Sequence, residues 1–244
     1  MKDNFSANSR EYARFRPNYP GEIFQYLEDL LPLKNTAWDC GTGNGQVAGE
    51  LSRFFKKFYA TDISENQLKN AVLKKNIIYS KQPAENTDFQ NQMFDLVIIA
   101  QAIHWFDFDK FYAEVYRTMK YEGMIAVLGY SLFRSNIETD AVINDFYHNL
   151  IGSFWDPERK YLDEQYKTIP FPFVEIIAPY FEQQLQWNFE QLTGYLKTWS
   201  AVKHYIAARG HDPVDLIAQD LKKSFGNRGE VTFPLLLRIG KKRT

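Results

Sequence analysis

The chain has little of what marks several large classes of protein. It has one cysteine, Cys40, which excludes an intramolecular disulfide and a cysteine-based zinc cluster. The histidines are scattered without metal-ligand spacing, so no metal site is expected. No apolar run approaches the ~20 residues of a membrane span, and the first residues lack an apolar signal core, so a cytoplasmic protein is expected. Its 29 Lys and Arg against 30 Asp and Glu give a net charge of -1. Without a basic excess, no nucleic-acid surface is expected.

The order of apolar patterns along the chain predicts an α/β fold. The 244 residues, 45% of them hydrophobic, are enough for one domain with a sizeable core. Five short apolar segments alternate with helical patterns up to Tyr130, which predicts a doubly wound, mostly parallel sheet. Further along, the patterns predict a strand at 182–189, helices at 190–208 and 213–225, and a last strand at 230–240, where Pro234 suggests an edge or a bulge. We expect a single domain over residues 1–244, with an N-terminal arm and helix over 1–33 and an insertion at 131–181.

A glycine-rich turn follows the first predicted strand. The run Asp39-Cys40-Gly41-Thr42-Gly43-Asn44-Gly45-Gln46 places a glycine at every second position after an acidic residue. Glycine reaches positive φ and lets a ligand lie against bare backbone. The helix that starts near Gln46 directs unpaired N–H groups at whatever fills the turn. A nicotinamide fingerprint would have its third glycine where Gln46 stands. The alternative without a ligand is a tight connection between strand and helix.

Asp62 ends the second predicted strand, about 20 residues after the glycines. At that distance a dinucleotide site places the carboxylate that accepts the ribose hydroxyls. The alternative is a surface cap for the helix predicted at 64–73, although Ser64 fills that position better. We therefore favour ribose binding for Asp62.

Two aromatic segments flank the predicted sheet. The arm from Tyr12 to Pro20 contains Arg16 and Tyr19, and it either covers apolar surface or closes over a ligand. The insertion at 131–181 is rich in aromatic residues, and loops on a rigid scaffold commonly carry specificity. It is interpreted as a substrate cap, with completion of the core as the alternative.

The fourth predicted strand, 93–100, is nearly continuous in apolar residues, as in a central strand buried on both faces. It leads into the segment Gln101–Asp107, at the carboxyl end where open α/β sheets bind ligands. His104 is a candidate general base near neutral pH. It could instead hydrogen-bond a substrate oxygen or cap the next helix. Trp105 either stacks beside a cofactor or packs in the core.

Four features carry a family resemblance: the arm from Tyr12 to Pro20, the motif Asp39–Gly45, Asp62 at the end of its strand, and the segment Gln101–Asp107. Over nearly its full length the chain resembles the class I S-adenosylmethionine-dependent methyltransferases. Within them it is similar to the subgroup of trans-aconitate methyltransferase-like small-molecule enzymes. The resemblance implies a seven-stranded Rossmann-like sheet whose last strand is antiparallel.

The resemblance also assigns positions around the cofactor. Asp39 and the turn that follows it would hold the amino-acid moiety, Asp62 the ribose, and Ile63 would press against the adenine. Ala84 would meet the adenine edge through its backbone, with Glu85 or Gln82 for the exocyclic amine. The remaining expected cofactor-binding residues are Gly41, Thr42, Gly43, Gly45, Gln101, Ala102, Trp105, Tyr12, Arg16 and Tyr19.

The sequence thus predicts methyl transfer from S-adenosyl-L-methionine to a small-molecule acceptor, at a carboxylate or hydroxyl oxygen. One rival is an NAD(P)-dependent oxidoreductase, against which Gln46 argues. The other is a non-catalytic protein that binds the cofactor in a regulatory role.

Overall fold

A mixed sheet forms the centre of the computed structural model, which describes residues 14–242. Its strands are β1 (Thr36–Cys40), β2 (Lys57–Asp62), β3 (Ile77–Lys81), β4 (Phe94–Ala100), β5 (Met119–Tyr130), β6 (Val174–Ile176), β7 (Glu182–Asn188) and β8 (Arg228–Lys241). The strands follow the order β3-β2-β1-β4-β5-β8-β6, and β7 pairs with β8 outside this path. Strands β1 to β5 are parallel, as the alternating pattern predicts. The order reverses between β1 and β4, and such a switch point opens a crevice at the carboxyl ends of the strands.

The long strand β8 completes the sheet. It runs antiparallel to β5, from Tyr130 opposite Leu235 to Met124 opposite Lys241. Its first half pairs with β7 and its last residues pair with β6, so these two short strands both lie next to β8, beyond the six strands that run from β3 to β8. The expected fold class, with its antiparallel last strand, is confirmed. The pairings of β8 have no bulge at Pro234, which lies not in an edge strand but where β8 changes its partner from β7 to β5.

Hydrophobic clusters cover both faces of the sheet, which makes it doubly wound. Successive side chains of a strand point to opposite faces. In β4, Leu96 and Ile98 accordingly join one cluster, while Val97 and Ile99 join the other. All four are fully buried, as the continuous apolar run predicts.

Nine helices lie before and between the described strands, and two of the predicted helices differ from them. They are α1 (Gly21–Leu30), α2 (Gln46–Leu51), α3 (Glu65–Lys69), α4 (Phe108–Thr118), α5 (Ile137–Asp145), α6 (Lys160–Asp163), α7 (Phe189–Lys197), α8 (Ser200–Arg209) and α9 (Pro213–Phe225). The single helix predicted at 190–208 is wrong, because Trp199 is extended, with φ -69° and ψ 138°. The helix predicted at 64–73 already ends at Lys69, where the Asn70 side chain donates to the Asn66 carbonyl. None of the helices within residues 14–242 is long and apolar enough to cross a bilayer.

The predicted insertion packs on the helices that follow the sheet. After α5 the chain makes a π turn at Phe146–Leu150 and short 3-10 turns at Gly152–Phe154 and Pro157–Arg159. Three aromatic rings of this stretch surround Trp199, with centroids 5.6 to 6.0 Å from its own. They belong to Phe146, Tyr147 and Trp155.

Candidate active site

The glycine turn after β1 lies at the switch point of the sheet. Its glycines all have positive φ: 70° at Gly41, 57° at Gly43 and 77° at Gly45. A Cβ on Gly41 would come within 2.7 Å of the Ala102 Cβ, and one on Gly45 would overlap the Tyr79 hydroxyl. Apart from Gly43 itself and its two chain neighbours, no described atom lies within 4 Å of the place that a Cβ on Gly43 would take. The turn is therefore closely backed at Gly41 and Gly45, and open at Gly43.

Asp39 lies beneath this turn and is 1% exposed. Its Oδ2 accepts hydrogen bonds from the Thr42 hydroxyl at 2.6 Å and from the Ala48 amide at 3.1 Å. Its Oδ1 has no hydrogen-bond partner among residues 14–242. Burial raises the pKa of Asp39 to about 7, against those two hydrogen bonds and with the help of the nearby Asp62 charge. A buried acceptor of this kind suits a cationic partner.

Asp62 joins the glycine turn to the segment after β2. Its Oδ2 accepts from the Gly43 amide at 2.8 Å, and its Oδ1 accepts from the Ser64 amide at 2.8 Å. The cap of α3 is Ser64, whose hydroxyl accepts from the Gln67 amide at 3.3 Å. The alternative that Asp62 serves as that cap is thereby removed. Asp62 instead holds two backbone segments at the edge of the cleft.

A cleft of about 940 Å³, partly open to solvent, collects eleven of the predicted cofactor-binding residues. They are Asp39, Gly41, Thr42, Gly43, Asp62, Ile63, Gln101, Ala102, Trp105, Arg16 and Tyr19. The lining residues that sequence reasoning missed are Pro17, Asn44, Gln46, Val47, Ser64, Gln67, Ala100, Phe106 and Tyr130. Most of them lie within five positions of a predicted residue in the sequence, so the predicted motifs already indicated where these residues would be found. Tyr130 could have been found as the carboxyl end of a core strand.

Four other predicted residues do not line this cleft. Gly45 faces Tyr79 on the far side of the turn. Ala84 is buried, with 1% of its surface exposed. Glu85 accepts from the Asp107 amide at 3.1 Å. Tyr12 lies outside the described residues. The roles assigned to these residues, like those of the eleven in the cleft, stay predictions.

Gln101 occupies a strained position at the end of β4. Its φ of 54° is in the left-handed region, where residues other than glycine are uncommon. Its amide donates to the Leu128 carbonyl at 2.9 Å, and its side chain donates to the Tyr130 carbonyl at 3.1 Å. Strain held in place by such bonds is often found at functional sites. Gln101 lines both the cleft and a second cavity beside it.

The second cavity, of about 430 Å³, contains His104. Its lining residues are Arg16, Gln101, His104, Trp105, Trp155, Asp156, Arg159, Leu162 and Ser200. The His104 ring is 5% exposed, and its Nδ1 lies 3.1 Å from the Tyr166 hydroxyl. Burial lowers the pKa of His104 to about 3, with help from the charges of Arg159 and Arg16. His104 is therefore a neutral hydrogen-bonding group at pH 7, and its role as a base stays a prediction.

Two arginines bring positive charge to this cavity. Arg159 donates from Nε to the Tyr147 hydroxyl at 2.6 Å, and its guanidinium lies 4.6 Å from the centre of the Trp155 ring. Arg16 donates from Nη1 to the Tyr130 hydroxyl at 3.1 Å and borders both cavity and cleft. Among the described residues, Asp156 is the acidic one that lines the cavity. The lining is therefore net positive, which suits an anionic molecule.

Comparisons with known proteins agree on one family. A family model described as a methyltransferase domain matches residues 38–127. A protein of Dictyostelium discoideum that bears the name methyltransferase is 30% identical over 250 residues, which cover 98% of this chain and 95% of that protein. A solved structure from Anaeromyxobacter dehalogenans is described as a type II methyltransferase. It is 38% identical in sequence with a TM-score of 0.86, and the match covers 93% of this chain and 98% of that chain. A protein of Saccharomyces cerevisiae named as an S-adenosylmethionine-dependent methyltransferase is 24% identical over 178 residues, 68% of this chain and 59% of its own length.

Proposed function

This chain belongs to the class I S-adenosylmethionine-dependent methyltransferases, and we propose that it methylates an oxygen atom of a small anionic acceptor. In this proposal the cleft beside the glycine turn holds the cofactor, and the cavity around His104 holds the acceptor. Arg16, Gln101 and Trp105 line both spaces, so the cleft and the cavity adjoin along these three residues.

The observation that carries the cofactor assignment is the buried Oδ1 of Asp39, which has no partner among residues 14–242. The amino-acid moiety of the cofactor carries an ammonium group that suits this oxygen. The open position at Gly43 leaves room for the ligand against the backbone. Asp62 lines the same cleft, and its carboxylate is the type of group that accepts hydrogen bonds from ribose hydroxyls. The residues present therefore fit the cofactor.

Orientation is what the chain itself contributes to the reaction. The cofactor supplies a methyl group that the positive sulfonium already activates. Residues that hold an acceptor oxygen in line with that group can contribute ~7–11 kcal/mol through proximity and orientation. Gln101 and Arg16 are suited to this task, because both border the cleft and the cavity and both are fixed by hydrogen bonds.

The state of His104 favours a carboxylate as the acceptor. A neutral imidazole with a pKa of about 3 binds a proton too weakly to deprotonate a hydroxyl group efficiently. A carboxylate is already ionised at pH 7 and needs no base. Arg16 and Arg159 would pair with its charge, while His104 would hydrogen-bond one of its oxygens. Such an acceptor would agree with the resemblance to trans-aconitate methyltransferase-like enzymes, which stays a prediction.

The insertion at 131–181 supports the same assignment of the cleft to the cofactor and of the cavity to the acceptor. It supplies Trp155, Asp156 and Arg159 to the cavity, whereas no residue of the insertion lines the cleft. We therefore keep its interpretation as a substrate cap within one domain as part of the proposal.

The proposal is tested by incubating the protein with methyl-labelled S-adenosylmethionine and a panel of small carboxylic acids, alcohols, phenols and amines. We expect label in products of the acids, and we expect base treatment to release it as methanol, because esters hydrolyse in base. Label that resists base would indicate an ether or an amine, and would overturn the choice of a carboxylate. No transfer to any panel member, with cofactor binding intact, would count against a small-molecule acceptor.

Arg159→Met is expected to raise the KM for the acid that accepts the methyl group by about tenfold. This change corresponds to the loss of roughly one charge-assisted hydrogen bond to the acid. Affinity for S-adenosylhomocysteine should stay unchanged, because Arg159 lines the cavity and not the cleft. The matched control is Arg53→Met, since Arg53 also lies over an aromatic ring, at 4.7 Å from the centre of Phe54, but lines neither space. Initial rates and calorimetry measure the two effects. An unchanged KM would remove Arg159 from the acceptor site.

A further inference from the structure

Three successive residues of the arm contact helix α7 at a regular spacing. Arg14 Nη2 donates to Glu190 Oε1 at 2.7 Å, and Arg16 Nη2 donates to the Thr198 carbonyl at 3.4 Å. Between them, the ring of Phe15 lies against Gly194. Positions 190 and 194 of α7 and residue 198, which caps the C-terminus of this helix, are four residues apart, about one helical turn. The arm thus runs along α7 with one contact for each turn of the helix.

The contact at Gly194 depends on the absence of a side chain. A Cβ on Gly194 would lie 2.5 Å from the Phe15 ring, closer than real Cβ contacts come. Gly194 is inside a helix, where its φ is not positive, so its backbone conformation does not require glycine. Glycine is also a weak helix former. The close approach of Phe15 is therefore the physical reason for glycine at this position.

The other two contacts fix the arm less firmly. Arg14 and Glu190 are 66% and 68% exposed, and such surface ion pairs contribute little. The hydrogen bond from Arg16 to Thr198 is long, at 3.4 Å. The ring of Phe15 packs against the hydrophobic core instead. The Arg16 guanidinium also lies over the Tyr195 ring of α7, at 5.3 Å from the ring centre, whereas the ring of Phe15 packs directly against the helix at Gly194.

The register of the arm matters because its next residues form a wall of the cleft. Arg16, Pro17 and Tyr19 line the cleft, and Arg16 borders the second cavity as well. The Tyr19 ring lies 6.1 Å from that of Tyr130, at the carboxyl end of β5. A shift of the arm along α7 would move all three residues away from the space that the cofactor is proposed to fill.

We propose that the seat of Phe15 on Gly194 sets the register of the arm and so positions Arg16, Pro17 and Tyr19 around the bound cofactor. Phe15 and Gly194 are positioning residues, because neither lines the cleft or the cavity. They act on the ligand through the arm alone. The inference rests on the proposed function, in which the cleft is the cofactor site.

The test compares wild type with Gly194→Ala, Phe15→Ala and the double variant, with S-adenosylhomocysteine as the probe. Each single variant should bind the probe about tenfold more weakly, a usual size for coupling between contacting groups. The double variant should be no weaker than either single one, because both changes disrupt the same contact. Gly194→Ala should change the melting temperature little, because the higher helix propensity of alanine offsets the packing lost at Phe15. Calorimetry and thermal unfolding give these values.

Hydrogen exchange without ligand provides the second readout. The peptide that spans residues 14–20 should exchange faster in Gly194→Ala than in wild type. Controls are Gly21→Ala, at another helical glycine with nothing within 4 Å of its Cβ position, and Glu190→Gln, which removes only the exposed ion pair. Both should bind the probe within about twofold of wild type.

The inference is overturned if the single variants bind the probe like wild type, or if their losses multiply in the double variant. Unchanged exchange of residues 14–20 in Gly194→Ala would also overturn it. If wild type itself does not bind S-adenosylhomocysteine, the proposed function fails, while exchange in the arm still decides whether Gly194 sets its register.

Discussion

Asp39→Asn is expected to weaken binding of S-adenosylhomocysteine by at least about thirtyfold and to stabilise the protein without ligand. The asparagine oxygen can accept the two hydrogen bonds that Oδ2 accepts from Thr42 and Ala48. The other oxygen becomes an amide, which cannot pair with the ammonium of the ligand. Removing one partner of a buried charge pair costs ~2–5 kcal/mol, which corresponds to this loss of affinity or more.

The gain in stability follows from the direction of the Asp39 pKa shift. Its pKa of about 7 in the folded protein lies above the ordinary 3.8, so the folded state binds the proton more tightly than the unfolded state. The stability from that proton is present below about pH 4 and is lost as the pH rises to about 7. The shift of about three pKa units corresponds to roughly 4 kcal/mol. Asp39→Asn avoids this loss, so its advantage over wild type should grow between about pH 4 and pH 7.

Urea unfolding of both proteins across this pH range measures the difference in stability. Calorimetry with S-adenosylhomocysteine measures the binding. In wild type the affinity should fall about tenfold for each pH unit below pH 7, because the ligand then competes with a proton on Asp39. In Asp39→Asn this dependence should disappear. Wild-type affinity in the variant, or equal stability at about pH 8, would contradict the role given to Asp39.

Gly43→Ala should weaken the binding of S-adenosylhomocysteine by about tenfold to a hundredfold, and it should have a smaller effect on the stability of the fold. Beyond the adjacent residues of the chain, the new Cβ would meet no described protein atom within 4 Å, so it would project into the space that the ligand is proposed to occupy. Overpacking of this kind costs ~1–3 kcal/mol, and here this cost reduces the free energy of ligand binding. The protein without ligand would bear only the strain of alanine at a φ of 57°, roughly 1–2 kcal/mol.

Gly210→Ala is the matched control for that backbone strain. Gly210 ends α8 with a φ of 78°, and its Cβ position also has nothing within 4 Å. The two variants should lose similar free energy of unfolding, whereas Gly210→Ala should keep wild-type affinity. Chemical unfolding and calorimetry compare them. Equal affinities in both variants would mean that the glycine turn is only a tight connection between β1 and α2.

Local patterns predicted the centre of this fold well because burial and local spacing coincide there. Strand β4 is buried on both faces, so its apolar run identifies it without further information. The glycine turn and Asp62 are also local signals, since positive φ and strand ends are encoded within a few residues. Accordingly the structure brings Asp39, Gly43 and Asp62 together in one cleft.

Tertiary contacts decided what the sequence alone could not show. The break at Trp199 depends on the aromatic rings of a distant segment that bury this side chain, while the residues around it read as one helix. The seat of Phe15 on Gly194 joins residues that are far apart in the chain. The low pKa of His104 likewise arises from burial and from Arg159, neither of which is visible around residue 104 in the sequence.

The central claim is that the cleft beside the glycine turn binds the methyl-donor cofactor, and titration calorimetry of the wild-type protein tests it most directly. S-adenosylhomocysteine and NAD are titrated separately at about pH 7.5, where Asp39 is mostly ionised. The account predicts that S-adenosylhomocysteine binds at one site per chain and that NAD gives no binding heat. Binding of NAD, or no binding of S-adenosylhomocysteine at saturating concentration, would contradict it.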